Sequence, residues 1–200
     1  MEKNFIKNYK KWYFLVPFTV FILVTYFTFT HQLDTLDIYV YTKISKIVTP
    51  VITTILNIFT ITGTIGFMLL ISFLLVFKYY KISKFLIFHA IVVDLLNYIL
   101  KIAFMRERPT ILWLTKTSGY SFPSAHMMVS TCFYGLCIYL LMKSSLPYKR
   151  IYSMLLFVLI LIIGISRIYL GVHYFSDIVG GALCGITYLL IIINNSRFKT

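Results

Sequence analysis

Apolar runs, each close to the ~20 residues that carry a helix across a bilayer's hydrocarbon core, follow one another along this chain, separated by short clusters of lysine, aromatic and turn residues. The first run covers residues 14–30, behind a basic start with Lys3, Lys7, Lys10 and Lys11 and an interfacial pair, Trp12 and Tyr13. Residues 31–50 are mixed. Asp34, Asp37, Lys43 and Lys46 are spread among Leu36, Ile38, Val40, Ile44 and Ile47, which predicts a short amphipathic helix at the surface, ended by Pro50. The apolar stretch 51–77 is longer than one span needs; the second span is placed at 60–77, where Gly63 and Gly66 offer close helix contact. A basic loop with Lys78, Lys81 and Lys84 follows. Further spans are predicted at 85–104, 124–142, 151–168 and 176–193, before a polar tail. The third contains Asp94 and Lys101, seven residues apart on nearly one face, so an ion pair or a water-facing position would account for each.

The composition agrees with this pattern. A chain of 200 residues with 60% hydrophobic residues, 12% charged residues and mean hydropathy +0.87 is too apolar for an ordinary soluble domain. The expectation is an all-α integral membrane protein, a six-transmembrane-helix bundle forming a single domain over residues 1–200. The end of the first run, FTFTHQLD, lacks the small-residue pattern of a cleavage site, so that run is expected to be retained as a span. The net charge of +13 does not imply nucleic acid, because the basic residues are dispersed between apolar runs and form no single face. Most of the 19 lysines and arginines fall in the two tails and in segments 78–84 and 143–150, which assigns those to the cytoplasm. Segments 31–50, 105–123 and 167–175 are then extracytoplasmic. Cys132, Cys137 and Cys184 lie inside apolar runs, odd in number and widely spaced, so neither a disulfide framework nor a metal site is expected.

Three polar blocks converge on the predicted outer face. In KIAFMRERP, Lys101 and Arg108 share a face if the third helix extends that far, although Pro109 discourages its continuation; two cations there suggest an anion. In SFPSAH, Pro123 and Ser124 resemble a helix start, with Ser124 capping it, Ala125 small enough to admit a ligand near free backbone N–H groups, and His126 in the first turn. In SRIYLGVHYFSD, a helix from about His173 would put Asp177 on the same face, so the carboxylate can reach and orient the imidazole of a candidate nucleophile or base. Gly171 predicts a turn between Arg167 and His173 that would aim both at one point. Outside these blocks, His31 and His89 read as structural or interfacial, and Arg106 and Glu107 as a solvated loop pair. Lys116 in the outer loop is read mainly as an exposed charge, with an anionic head group as its minor reading.

In order and spacing, Lys101-x6-Arg108-Pro109, Pro123-Ser124-Ala125-His126 and Ser166-Arg167-x5-His173-x3-Asp177 resemble the three-block signature of the type 2 phosphatidic acid phosphatase superfamily. That superfamily includes membrane lipid phosphatases, glucose-6-phosphatase and vanadium haloperoxidases. The signature region spans residues 101–177, and Ala125 departs from the glycine, or in some members aspartate, more usual there. The resemblance implies that Lys101, Arg108 and Arg167 hold phosphoryl oxygens, with hydrogen bonds from Ser124 and the N–H of Ala125. It implies that His173, oriented by Asp177, attacks phosphorus to form a phosphohistidine, and that His126 protonates the departing oxygen and then activates water.

A lipid phosphate phosphatase in the cell membrane is therefore expected, with its site on the extracytoplasmic face. Its partners would be the substrate and membrane lipids, and its substrate undecaprenyl diphosphate, phosphatidylglycerol phosphate or phosphatidate. Two other readings stay open: a lipid phosphotransferase, and a non-catalytic lipid-phosphate binder or transporter. Two histidines and a carboxylate also suit a metal, but three fixed cations would repel a divalent ion and stabilise a transferring phosphoryl group, so no metal or other cofactor is expected.

Overall fold

The computed structural model describes residues 12–110 and 113–195, and its regular elements there are all helical. The basic N-terminal segment up to Lys11 and the tail from Ser196 onward lie outside the described residues. In chain order the helices are α1 (Leu15–Phe29), α2 (Asp34–Ser45), α3 (Pro50–Thr62), α4 (Ile65–Leu74), α5 (Val76–Phe104), α6 (Ala125–Lys143), α7 (Lys149–Tyr169) and α8 (Phe175–Asn195). α5 to α8 are each long and apolar enough to cross a membrane, and the bent pairs α1–α2 (91°) and α3–α4 (58°) each qualify as one broken span. The described residues therefore hold four to six candidate spans.

α6 is the axis of the bundle. Every residue from Met127 to Tyr134 is buried, so this helix is enclosed on all sides, by α5, α7 and α8. Outward faces are apolar instead of polar: Phe88, Ile91, Leu95, Tyr98 and Ile102 form a stripe along α5, and Met154, Phe157, Leu161 and Ile165 do so on α7. In water such stripes would drive aggregation; in a bilayer lipid tails cover them, while each helix satisfies its own backbone.

Two glycines set the distance between α6 and α8. A Cβ at Gly181 would lie 2.6 Å from the Ser124 carbonyl oxygen, and one at Gly185 would lie 2.7 Å from that of Met128. The spacing of four puts both on one face, so the two backbones touch. At the same level the Ser124 N–H donates to the Asp177 carbonyl at 3.1 Å, which locks the start of α6 to the start of α8. The amide of buried Asn97 donates to the Pro123 carbonyl at 3.0 Å and fastens α5 to the same turn. Phe21, Phe29, Phe104 and Phe122 stack beneath it. Tyr169, at the end of α7, accepts from the Thr49 N–H at 3.0 Å and anchors the start of α3.

The chain therefore brings the C-terminal ends of α5 and α7 together with the N-terminal ends of α6 and α8. The basic groups of residues 78–84 and 143–150 lie at the opposite ends of these helices.

Some boundaries differ from the sequence pattern. The second span placed at 60–77 is not one helix: α3 runs to Thr62, α4 begins after a break where Thr64 caps it by accepting from the Phe67 N–H at 3.3 Å, and α5 has already begun at Val76. Pro50 opens α3 instead of simply closing the segment before it, since its missing N–H suits the first helical position, and Thr49 caps it. Lys78, Lys81 and Lys84 sit in the first turns of α5, kinked at Tyr79, and not in a loop; the turn is Leu75, closed by the Ser83 hydroxyl donating to the Ser72 carbonyl at 2.5 Å. Asp94 and Lys101 form no ion pair, because Lys101 is drawn to carbonyls of the following loop. Of the two small residues in GTIG, Gly63 makes a close contact and Gly66 meets nothing within 4 Å.

Two alanine substitutions separate packing from helix propensity. Gly185→Ala should lower the thermal stability of the detergent-solubilised protein by about 1–3 kcal/mol, because the new methyl would lie 2.7 Å from the Met128 carbonyl oxygen and 2.8 Å from Thr131 Cβ, and neither atom is the end of a flexible side chain. Gly66→Ala should leave stability unchanged or raise it by up to about 1 kcal/mol. Equal thermal shifts for both would contradict this helix contact.

Candidate active site

The reversal after α7 creates the geometry at His173. Gly171 has φ +73°, a left-handed conformation that costs glycine little, and it lets the Val172 N–H return to the Arg167 carbonyl at 3.2 Å. α8 begins at Phe175, so His173 precedes the helix it was expected to open. The pairing persists because Asp177 folds back over that first turn, accepting from the Tyr174 N–H at 2.9 Å and from His173 Nδ1 at 3.1 Å. The carboxylate assigns the proton to Nδ1, leaving the Nε2 lone pair to accept from Arg108 Nη1 at 3.3 Å. Both side chains are buried.

Lys101 and Arg108 meet by a different route from the shared helical face the spacing suggested. α5 stops at Phe104, with Met105 left-handed at φ 46°, and both cations turn onto the carbonyls of the loop that precedes α6. Lys101 donates to the carbonyls of Tyr120 and Ser121; Arg108 donates to Ser118 at 3.0 Å, Gly119 at 2.9 Å and Val172 at 2.8 Å. Ser121 closes this loop on Arg106 and Glu107 by hydrogen bonds to their carbonyls. Arg167, on the last turn of α7, donates from Nη1 to Thr60 on α3 at 2.8 Å.

Ser124 holds the position preceding α6, but its hydroxyl caps no N–H; the main chain fixes this residue to Asp177 instead. Ala125 is the first residue of α6, where backbone N–H groups have no partner within the helix. His126 follows, within electrostatic reach of Arg167, His173, Arg108 and Lys101. A Cβ at Gly63 would come within 3.2 Å of the His126 ring, so the α3–α4 break forms the wall against that imidazole. Among the described residues, the buried Ser124 Oγ and Arg167 Nε have no hydrogen-bond partner. Buried hydroxyls of Thr28, Ser72, Ser130, Thr131 and Ser153 are also without a partner, so it is the position of Ser124 and Arg167 among the cations that gives their free donors a use.

Two residues of the cluster escaped the sequence pattern, and one expectation is corrected. Arg106 is not a solvated loop residue: it bridges Asp177 Oδ1 at 2.6 Å and Asp37 Oδ2 at 2.9 Å, donates to Ser176 Oγ at 2.8 Å, and lies over the Tyr174 ring at 4.2 Å. The left-handed turn at Met105 sends it inward, while Glu107 stays exposed. Asp37 on α2 accepts from the N–H and the hydroxyl of Ser176, at 2.8 and 2.6 Å. Its one legible signal is register, since it shares a face with Val40, Tyr41 and Ile44, which pack on the core. Thr60 carries no such signal. Lys116 is exposed; His31 pairs with Asp34 at 2.9 Å, and His89 with Tyr188 at 3.0 Å.

Lys101, Arg106, Arg108 and Arg167 outnumber the carboxylates of Asp37 and Asp177 in this cluster, which leaves a surplus of positive charge suited to an anion. Burial, followed by the charges of Arg108, Arg167, Lys101 and Arg106, holds His173 well below the ordinary value of 6.5, so its imidazole is neutral near pH 7. A cleft of about 680 Å³ opens beside the site between α2 and residues 106–110, with Phe29, Ile38, Tyr41, Arg106, His173 and Tyr174 on its walls. Among the described residues, no three His, Cys, Asp or Glu side chains are grouped to hold a metal ion.

A family model described as the PAP2 superfamily matches residues 84–200. Phosphatidylglycerophosphatase B of Bacillus subtilis is 37% identical over 102 residues, covering 49% of this chain and 50% of that protein. A dihydrosphingosine 1-phosphate phosphatase of Schizosaccharomyces pombe is 38% identical over 87 residues, covering 40% of this chain and 21% of the relative. These alignments span half or less of the curated relatives. Among solved structures, a transmembrane PAP2-type phosphatidylglycerolphosphate phosphatase from Bacillus subtilis superposes with a TM-score of 0.83 at 26% identity, covering 94% of this chain and 100% of that one. Aquifex aeolicus LpxE superposes with a TM-score of 0.65 at 26% identity, covering 80% and 94%.

The neutral His173 makes stability depend on pH in a defined direction. Above the ordinary value of 6.5 neither folded nor unfolded imidazole carries a proton; below it the unfolded chain gains one that the buried ring refuses, so this stability is lost as pH falls. The protein should lose up to about 1.4 kcal/mol per pH unit from this group on acidification. His173→Asn should remove that component in a pH series of thermal unfolding, and identical pH dependence in both proteins would refute the assignment.

Proposed function

Because the chain belongs to the PAP2 superfamily, we propose that it is an integral membrane phosphatase removing the terminal phosphate of a lipid through a phosphohistidine on His173. The observation that carries the reading is the convergence of Lys101, Arg108 and Arg167, with the unpaired Ser124 Oγ and Arg167 Nε, around an imidazole whose Nε2 lone pair faces the cations. Planar guanidinium groups grip two phosphoryl oxygens at once, and the lysine adds a point charge. The first-turn N–H of Ala125 and the Ser124 hydroxyl complete the cradle.

His173 Nε2 attacks phosphorus as the bond to the lipid oxygen breaks, and His126 gives its proton to that oxygen. Water then loses a proton to His126 and attacks the same phosphorus. The N–P bond breaks and inorganic phosphate leaves. Asp177 keeps Nδ1 protonated throughout and balances the charge that develops on the ring. The cations stabilise the equatorial oxygens in the transition state, a role they perform without a metal.

The bundle crosses the membrane six times, with α3 and α4 forming one broken span and both termini in the cytoplasm. Positive-inside bias supports this orientation, since the basic groups of 78–84 and 143–150 lie at the helix ends opposite the site. The phosphate chemistry then faces the extracytoplasmic side, and the cleft beside His173 admits a head group whose chains stay in lipid. The B. subtilis relatives support phosphatidylglycerol phosphate as the first substrate to try, ahead of undecaprenyl diphosphate and phosphatidate.

Purified protein in detergent should release inorganic phosphate from at least one of these three lipids, with undiminished rate in EDTA. His173→Ala should abolish release with the fold intact. His126→Asn should lower kcat by about 10²–10⁴-fold on a lipid substrate, and by less on an aryl phosphate whose leaving group needs no proton. Head-group binding without turnover by the unaltered protein would replace this reading with a carrier. Transfer of the phosphoryl group to an alcohol in preference to water would make the enzyme a phosphotransferase. Activity lost in EDTA and restored by added metal would refute metal-independent catalysis.

A further inference from the structure

The residues that complete the site lie partly outside the three signature blocks. Asp177 has one oxygen on His173 Nδ1 and the Tyr174 N–H, and the other on Arg106 Nη1. Arg106 is itself held from two directions, by Asp37 Oδ2 through Nη2 and by the Ser176 hydroxyl through Nη1. Asp37 also accepts both the N–H and the hydroxyl of Ser176, so it grips the first turn of α8 where the backbone N–H groups lack helical partners. Asp37, Ser176, Asp177 and His173 are all buried. Asp37 comes from α2, the short helix set at 91° to α1, so the connection runs from a separate element across the end of the bundle.

We propose that Asp37 and Arg106 are positioning residues for the His173 nucleophile: α2 supplies a carboxylate that fixes Arg106, and Arg106 fixes the Asp177 carboxylate against His173 Nδ1. The inference rests on the phosphatase reading above and extends it to residues with no direct part in holding phosphate.

The chemistry requires such a support. A buried carboxylate with one oxygen unpaired can rotate, and its hydrogen bond to the imidazole then loses direction. With Arg106 on Oδ1, Asp177 can offer Oδ2 in one orientation, which selects the tautomer with Nε2 free. Arg106 in turn needs a second anion. Facing Asp177 alone, its guanidinium could slide along the carboxylate, or reach past it toward the phosphate that Lys101, Arg108 and Arg167 are placed to hold. Asp37 commits Nη2 to a second carboxylate instead. The stacking of Arg106 on Tyr174 fixes the guanidinium plane in the same sense.

The experiment compares full-length Asp37→Asn, Arg106→Ala and Arg106→Lys with the unaltered protein in detergent, by steady-state phosphate release and by ¹⁵N spectra of histidine-labelled protein. Asp37→Asn keeps the side-chain shape and one acceptor oxygen, so it removes the charge with little change in packing. For Asp37→Asn and Arg106→Ala, kcat should fall by about 10- to 100-fold with KM within about twofold. Arg106→Lys should recover part of the loss, and added guanidinium ion should restore turnover to Arg106→Ala but not to His173→Ala. The spectra should show His173 as the Nδ1–H tautomer in the unaltered protein and as a mixture in the Asp37 and Arg106 variants. Folded variants that keep both kcat and the single tautomer would overturn the proposal while leaving the phosphatase reading intact. A loss confined to folding yield, with normal kcat per folded molecule, would also overturn it. If the unaltered protein turned over none of the lipids, the phosphatase reading would fail on its own. The tautomer spectra would still decide whether Asp37 and Arg106 orient His173.

Discussion

Concentrating four cations at one end of an apolar bundle is the constraint on which the rest of this structure depends. Lys101, Arg106, Arg108 and Arg167 would repel one another and would each be costly to desolvate if left unpaired. The fold meets this cost locally. Arg106 is held between two carboxylates, Arg167 rests on Thr60, and Lys101 and Arg108 are wrapped by carbonyls from the loop before α6 and from the turn after α7. Carbonyls orient a cation without neutralising it. The residual positive potential is therefore available to an anion, which a full complement of carboxylates would have cancelled.

The same constraint explains why the interior of the bundle is so tight. The phosphoryl cradle proposed for this site would work only with its donors held to within fractions of an ångström. The Gly181 and Gly185 contact lets α6 and α8 approach until the main chains of Ser124 and Asp177 bond directly. Asn97 fixes the Pro123 turn from α5. The cluster of Phe21, Phe29, Phe104 and Phe122 fills the space below with rings that have few rotamers to lose. The site thus rests on close helix packing and a cluster of aromatic rings, while the outward faces of α5 and α7 are apolar and exposed.

The site also depends on the short helix α2. α2 bends away from α1 at 91° and contributes Asp37, whose carboxylate joins the start of α8 to Arg106. Without α2, the first turn of α8 would present unpaired N–H groups and Arg106 would face a single anion. The segment remains a largely exposed surface helix, as its composition predicts, and Asp37 is the one of its residues that is buried against the site.

The sequence by itself determined the features that covalent spacing controls. The apolar runs set the all-helical membrane architecture because lipid requires each segment to satisfy its own backbone. The interval of four between His173 and Asp177, together with the glycine before them, was enough to specify a local pair and a turn, since neither depends on a distant partner. Order and spacing of the three blocks carried the resemblance to the family. Tertiary structure decided what depends on partners far along the chain. It placed Arg106 inward, because a left-handed residue ends α5 at Met105, and it gave that arginine a partner in Asp37 and Arg167 a partner in Thr60. It brought Lys101 and Arg108 together over loop carbonyls instead of along a shared helical face, and it released Ser124 from capping to be held by α8. None of these pairings has a fixed interval in the chain. Each follows from the direction in which a packed helix ends, and that direction is set by contacts among all the helices.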